Sequence, residues 1–224
     1  MIHSNKNQLC INDIPLESLA EEYETPLYVY DMDLMHDNLN VIRDAIAYRP
    51  LSLHFACMAN NNIALLKELS SLQVNIFVCT PGELIIAQTA GFKPNQIVVT
   101  GCNFSDSEIT QMATSGITLI VNSLQQLLEF THRKEVKKLG LRISPNIVLP
   151  SETINPAVGV KSRVGLPEHE VEKAVCTAEK LNVLINGVHM YIGTNILHHA
   201  YFTEAIRTAL RVNALRQPAK KQVY

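Results

Sequence analysis

From residue 51 onward, short uninterrupted apolar runs alternate with stretches whose apolar positions recur every three or four residues, at intervals of about 20 to 25 residues. The runs LSLHFAC, VNIFV, QIVVT, ITLIV, KLGLRIS and INGVHMYI predict six strands. The periodic stretches predict helices near 61–71, 82–90, 106–115, 123–135, 168–181 and 199–213. Strands that are apolar throughout, not at alternate positions, are those covered on both faces, and helical crossovers between them force parallel pairing. The closing KQVY reads as the start of a seventh strand. An eight-stranded β/α barrel and an open doubly wound sheet both satisfy this pattern, and periodicity does not separate them.

Ahead of this region the pattern is weaker. Residues 1–24 are polar and mixed, with a short helix expected within ESLAEEYE. TPLYVYD then predicts a strand ending at Asp31. Either Asp31 or Asp33 can cap the following helix, where Leu34, Asn38, Leu39, Ile42 and Ile46 fall near helical spacing. The expected division is an N-terminal segment over 1–24 and a barrel domain over 25–224.

Composition narrows the class. A chain of 224 residues that is 47% hydrophobic and 18% charged can bury one sizeable core. A formal net charge of -2 makes nucleic acid and anionic membrane poor partners and favours a small metabolite or another protein. The five cysteines are far apart, with no CxxC pair, which points away from a disulfide framework or structural zinc and toward a reducing cytoplasm. No apolar run reaches the roughly 18 residues a spanning helix needs.

Chemistry concentrates where strands end. HFACMANNN is a strand that turns through Asn60, Asn61 and Asn62 into a helix, a geometry that puts Met58 at the mouth of a parallel fold. Taken alone, Met58 is a gap-filling side chain. GVHMYIGTN ends another strand in Gly193 and Thr194, whose backbone N–H groups suit a phosphate. Arg142 would be a lone charge in an apolar strand, in need of an acidic or carbonyl partner unless it reaches solvent. Glu83, in CTPGEL, suits a helix N-terminus. His198 and His199 are adjacent and lack an acidic partner at ligand spacing, so no metal is expected. Walker, GxGxxG and GxSxG strings are absent.

These strings together resemble the fold-type III pyridoxal 5'-phosphate (PLP) decarboxylases, the diaminopimelate and ornithine decarboxylase family with its alanine racemase-like barrel. TPLYVYD and a following helix containing NL look like that family's opening. HFACMANNN is similar to its YAVKANSN string, with Phe55, Ala56, Ala59, Asn60 and Asn62 matching and Met58 where the family keeps the Schiff-base lysine. A thioether forms no imine. GVHMYIGTN resembles HxHIGS, with His189 and Gly193 retained, Thr194 for the serine that contacts phosphate, and Tyr191 for the histidine that stacks on the cofactor ring. GLRIS resembles GLRVNP and brings Arg142 close to the cofactor, while Glu83 falls in an ASxGEL-like segment.

The stretch from Ser144 to Pro167 corresponds to an excursion over the cofactor and closes on SRVGL, similar to SRFGL, which makes Ser162 and Arg163 substrate-loop residues. The resemblance decides for the barrel. It implies a PLP-binding (β/α)8 domain represented here by six to seven strands, without the family's GGG and EPGR strings or its C-terminal β-domain. Two sheet edges left open invite pairing, as a homodimer or with a full-length relative. A shortened piece, a shortened gene product and a chain completed by a partner all meet this description. The implied chemistry is amino-acid decarboxylation on a substrate like diaminopimelate, ornithine or a siderophore precursor. Without the lysine, this chain is expected to be inactive by itself.

Overall fold

The computed structural model describes residues 2–5, 8–102, 104–145, 147, 162, 164–194 and 196–215. The chain forms two compact units, Met1–Leu51 and Ser52–Tyr224, and residues 25–51 cluster with the first. In that unit β1 (Ile2–Asn5), β2 (Gln8–Ile11) and β3 (Ile14–Pro15) make an antiparallel sheet, followed by helices α1 (Leu16–Tyr23) and α2 (Met32–Ala45). The three strands went unread because only Cys10 and Ile11 among them are buried, too few to mark an alternation. TPLYVYD, expected as a strand, has no ladder partner among the described residues, and its Tyr28 is 88% exposed. An apolar, β-branched string is a strand only where a neighbour accepts its N–H and C=O groups. Asp31 does cap α2: its carboxylate accepts the Leu34 N–H at 2.9 Å, which lowers the Asp31 pKa.

The second unit follows the predicted alternation closely. Its elements are β4 (His54–Ala56), α3 (Ile63–Ser71), β5 (Asn75–Val78), α4 (Pro81–Thr89), β6 (Ile97–Thr100), α5 (Asp106–Ser115), β7 (Thr118–Val121) and α6 (Leu124–Thr131). After these come β8 (Lys138–Ser144), β9 (Leu166–Pro167), α7 (Val171–Lys180), β10 (Leu184–Met190) and α8 (His199–Leu215). The strands pair in the order β10-β8-β7-β6-β5-β4, all parallel, with the two-residue β9 added beside the end of β8. Sequence order never reverses across the sheet. A doubly wound sheet requires such a reversal; a barrel does not.

One contact shows that the sheet curls. Phe77 on β5 and His189 on β10 lie four strand positions apart, roughly 19 Å in a flat sheet at the usual spacing. Their rings instead stack, with centroids 5.1 Å apart and planes at 15°. The sheet has therefore curled around a barrel interior. Helix-facing strand residues such as Ile76, Val78, Ile97, Val121, Leu139, Leu141 and Ile143 are buried and form the core with Leu66, Met112, Leu127 and Ala174. Interior positions are more polar: His54, Asn75, Phe77, Thr118, Gly140, Arg142 and His189 share one parity of the register. Gly140 and Gly187 are register partners there, and a Cβ at Gly187 would meet nothing within 4 Å. At Gly140, by contrast, a Cβ would lie 3.0 Å from Ile120 Cγ1.

The expected seventh strand KQVY and residues 148–161 of the long loop lie outside the described residues. The loop's close is described and returns to the sheet: Ile143 pairs with Leu166 and Ser144 with Pro167. No helix among the described residues is long and apolar enough to cross a membrane.

Candidate active site at the barrel mouth

A cavity of about 710 Å³ opens at the C-terminal end of the strands. Its size is that of a small-molecule site. It is lined by Ala56 and Met58 from β4 and the turn after it, Phe77 from β5 and Cys79 just after it, Arg142 from β8, and His189 and Tyr191 at the end of β10. Of the sequence-predicted residues, the fold thus brings together Ala56, Met58, Arg142, His189 and Tyr191. Met58 stands on the rim, 57% exposed, within a single 3-10 turn formed by Cys57–Ala59.

Arg142 and His189 are register partners on adjacent strands. The guanidinium lies over the Tyr191 ring, 5.7 Å from its centroid, a cation–π contact. Burial lowers the Arg142 pKa, partly offset by Cys79 and Tyr191. The buried Nδ1 of His189 has no hydrogen-bond partner. Desolvation, reinforced by the Arg142 charge, pushes His189 down to about 4, so its ring is neutral at pH 7. Burial of Cys79 and the nearby Glu83 carboxylate push that thiol up to about 11, so it too is uncharged. Arg142 is the one lining side chain with a formal charge, and no carboxylate lines the cavity among the described residues.

The protonation of His189 has a consequence for stability. Its folded pKa of about 4 lies below the unfolded value of 6.5, so below pH 6.5 the unfolded chain binds a proton that the folded chain refuses. Stability is complete above pH 6.5 and falls as the pH drops toward 4, by on the order of 1–3 kcal/mol. Urea unfolding at pH 7.5 and 5 should show this loss, and His189→Gln should reduce it; an unchanged pH slope in the variant would refute the assignment.

Other predicted residues have different places. Asn60 does not line the cavity; its Oδ1 accepts the Asn62 N–H at 3.0 Å, so the geometry gives it a turn-forming role. Asn62 caps α3, its side chain accepting the N–H groups of Ala64 at 2.9 Å and Leu65 at 3.3 Å. Replacing Asn62 with alanine should cost about 1 kcal/mol, read as a shift in the unfolding midpoint. Thr194 is exposed beside the mouth, its Oγ1 2.5 Å from the Tyr191 hydroxyl, and Gly193 has a φ of 129°. The chain turns away after β10 through that glycine, and neither residue lines the cavity. Ser162 lines a second cavity, of about 560 Å³, with Ser144, Glu168 and Arg211. Arg163 lies outside the described residues.

Glu83 bonds the backbone N–H of Cys79 at 2.7 Å and so ties the end of β5 to α4. Gln126 does the same for Asn122, also at 2.7 Å. Among the described residues, no group of three or more His, Cys, Asp or Glu could hold a metal ion. His54, Phe77 and Cys79 were not anticipated at the site. Their signal was the strand register, by which Ala56 pairs with Phe77 on the interior face.

A family model described as the pyridoxal-dependent decarboxylase, pyridoxal binding domain, matches residues 34–219. The chain belongs to this family. It is 32% identical to the diaminopimelate decarboxylase of Methanothermobacter thermautotrophicus over 222 residues, covering 93% of this chain and 50% of the relative. Among solved structures, a Helicobacter pylori diaminopimelate decarboxylase complexed with L-lysine is 27% identical with a TM-score of 0.76, over 89% of this chain and 53% of that one. A second, the diaminopimelate decarboxylase from "m. jannaschii" in co-complex with L-lysine, has a TM-score of 0.83 over 94% of this chain and 52% of that one; at 24% identity it supports the fold alone. The chain spans about half the length of the curated relatives it matches. Barrel and cofactor class are those expected from the sequence.

The pyridoxal-binding family implies PLP, and the cavity fits its ring and its charge. Phe77, His189 and Tyr191 offer aromatic faces, Arg142 a cation, and His189 a buried nitrogen without a partner. The fit fails at the aldehyde. No lysine lines the cavity among the described residues, and Met58 has no nitrogen to offer.

Proposed function

We propose that this decarboxylase-family chain holds PLP at the barrel mouth without a covalent bond and does not by itself decarboxylate an amino acid. A single observation carries the reading: Met58, at the position where the resemblance puts the family's lysine, shares a cavity with Arg142, His189 and Tyr191. PLP, when bound, supplies an electron sink for loss of a carboxylate. The chain's own residues divide the work of holding it. Phe77 and Tyr191 present ring faces, Arg142 attracts an acidic group, and His189, neutral at pH 7, offers Nδ1 for a hydrogen bond.

The ancestral substrate is an amino acid of the diaminopimelate, ornithine or siderophore-precursor kind, and the proposed setting is the cytoplasm. Equilibrium dialysis with PLP tests the reading. Binding should be saturable and fully reversible, and borohydride should leave no added mass on the protein. A reduced adduct on a native lysine, or carbon dioxide released from diaminopimelate, would refute it.

A second reading has its own support. Phe202, Ile206 and Leu210 form an exposed apolar stripe on α8, 48%, 61% and 65% exposed, and β4 and β10 are the sheet's outer strands. Such surfaces suit pairing with a second copy or with a full-length decarboxylase, which this chain would regulate. Co-elution with such an enzyme on size exclusion is the expected result, and separate elution at micromolar concentration removes this reading.

A further inference from the structure

We propose that the barrel cavity is indifferent to the aldehyde of vitamin B6: it holds the alcohol form, pyridoxine 5'-phosphate, as firmly as PLP, and it disfavours the amine form, pyridoxamine 5'-phosphate. The inference rests on the noncovalent retention just proposed and deepens it by naming the ligand class.

The three compounds share a pyridine ring, a ring hydroxyl and a phosphate, and they differ at one carbon. A site with a lysine tells the aldehyde apart because it alone forms a bond to the amine. Here the rim residue is Met58, whose thioether is a soft apolar surface that neither attacks a carbonyl nor donates a hydrogen bond. Cys79 is the remaining sulfur nucleophile on the lining, and burial together with Glu83 keeps it a thiol, which adds poorly to a carbonyl. The aldehyde therefore gains nothing over a hydroxymethyl group of similar size. What remains is common to both: the aromatic faces of Phe77, His189 and Tyr191 and the charge of Arg142.

The amine form meets a different balance. Its ammonium would enter a cavity whose single formal charge is the positive Arg142 and whose described lining holds no carboxylate. The Glu83 carboxylate is turned onto the Cys79 N–H. With the shared phosphate drawn to Arg142, a cation placed there loses water and meets no carboxylate among the described lining residues.

Isothermal calorimetry on the full chain at neutral pH, with the three phosphates in turn, tests this directly. The expected result is dissociation constants for PLP and pyridoxine 5'-phosphate within about threefold of each other, and at least about tenfold weaker binding of pyridoxamine 5'-phosphate. Met58→Leu, a similar apolar side chain on an exposed rim, should keep that order. Met58→Lys should tighten PLP by at least about tenfold more than it tightens the alcohol form. If the native chain prefers PLP to the alcohol by more than about tenfold, or binds the amine as well as the alcohol, the inference fails while noncovalent retention stands. If none of the three binds, the retention reading falls, and this inference with it.

Discussion

Gly101→Ala is expected to destabilise the barrel by about 3 kcal/mol or more, among the largest effects of any single methyl group in the chain. A Cβ at Gly101 would lie 2.0 Å from the Cys79 carbonyl oxygen and 2.9 Å from its carbon, with the Phe104 ring at 3.1 Å. Overlap with a flexible side chain could be relieved by rotation, but a carbonyl in the backbone just after β5 has no such freedom. The Gly101 backbone is pinned as well, since its own carbonyl accepts the Gln126 Nε2–H at 2.6 Å while Gln126 Oε1 holds the Asn122 N–H. The ends of β6 and β7 are thereby locked together through Gln126. Gly187→Ala is the control: nothing lies within 4 Å of its added carbon, and its cost should stay below about 1 kcal/mol. Urea midpoints followed by circular dichroism would compare the two, and equal values would refute the close-approach account.

Met58→Lys should give the chain a covalent hold on PLP. Because residue 58 is 57% exposed on the rim, the substitution removes little packing and the fold should survive it. The new amine would share a cavity with Arg142 and, among the described residues, no carboxylate, and a neighbouring cation favours the neutral, nucleophilic form of a lysine. After incubation with PLP and borohydride, mass spectrometry should find one cofactor fixed to residue 58 in the variant and none in the native chain. A folded variant that binds PLP reversibly but never acquires the adduct would overturn the placement of Met58 at the family's lysine position.

Several features of the site were legible early because they are local. Hydrophobic periodicity located all six principal strands and every helix between them, with α5 at its expected bounds over 106–115. The resemblance carried by HFACMANNN, GLRIS and GVHMYIGTN pointed to Met58, Arg142, His189 and Tyr191, which do line one cavity. Asn60, Gly193 and Thr194 were singled out by the same strings, yet they do not line it, since a string fixes neighbours along the chain and not the direction of each side chain. TPLYVYD failed as a strand for a related reason: β structure is completed by a partner the string does not contain.

The sequence by itself determined the β/α alternation, the parallel pairing and the family. Only the tertiary structure decided that the sheet curls, that Phe77 stacks on His189, and that Arg142 meets an aromatic ring and, among the described residues lining the cavity, no carboxylate. The physical reason is range. Periodicity and capping are settled within a few residues, whereas curvature, register and the charge balance of a cavity arise from side chains on different strands that meet only once the chain has folded.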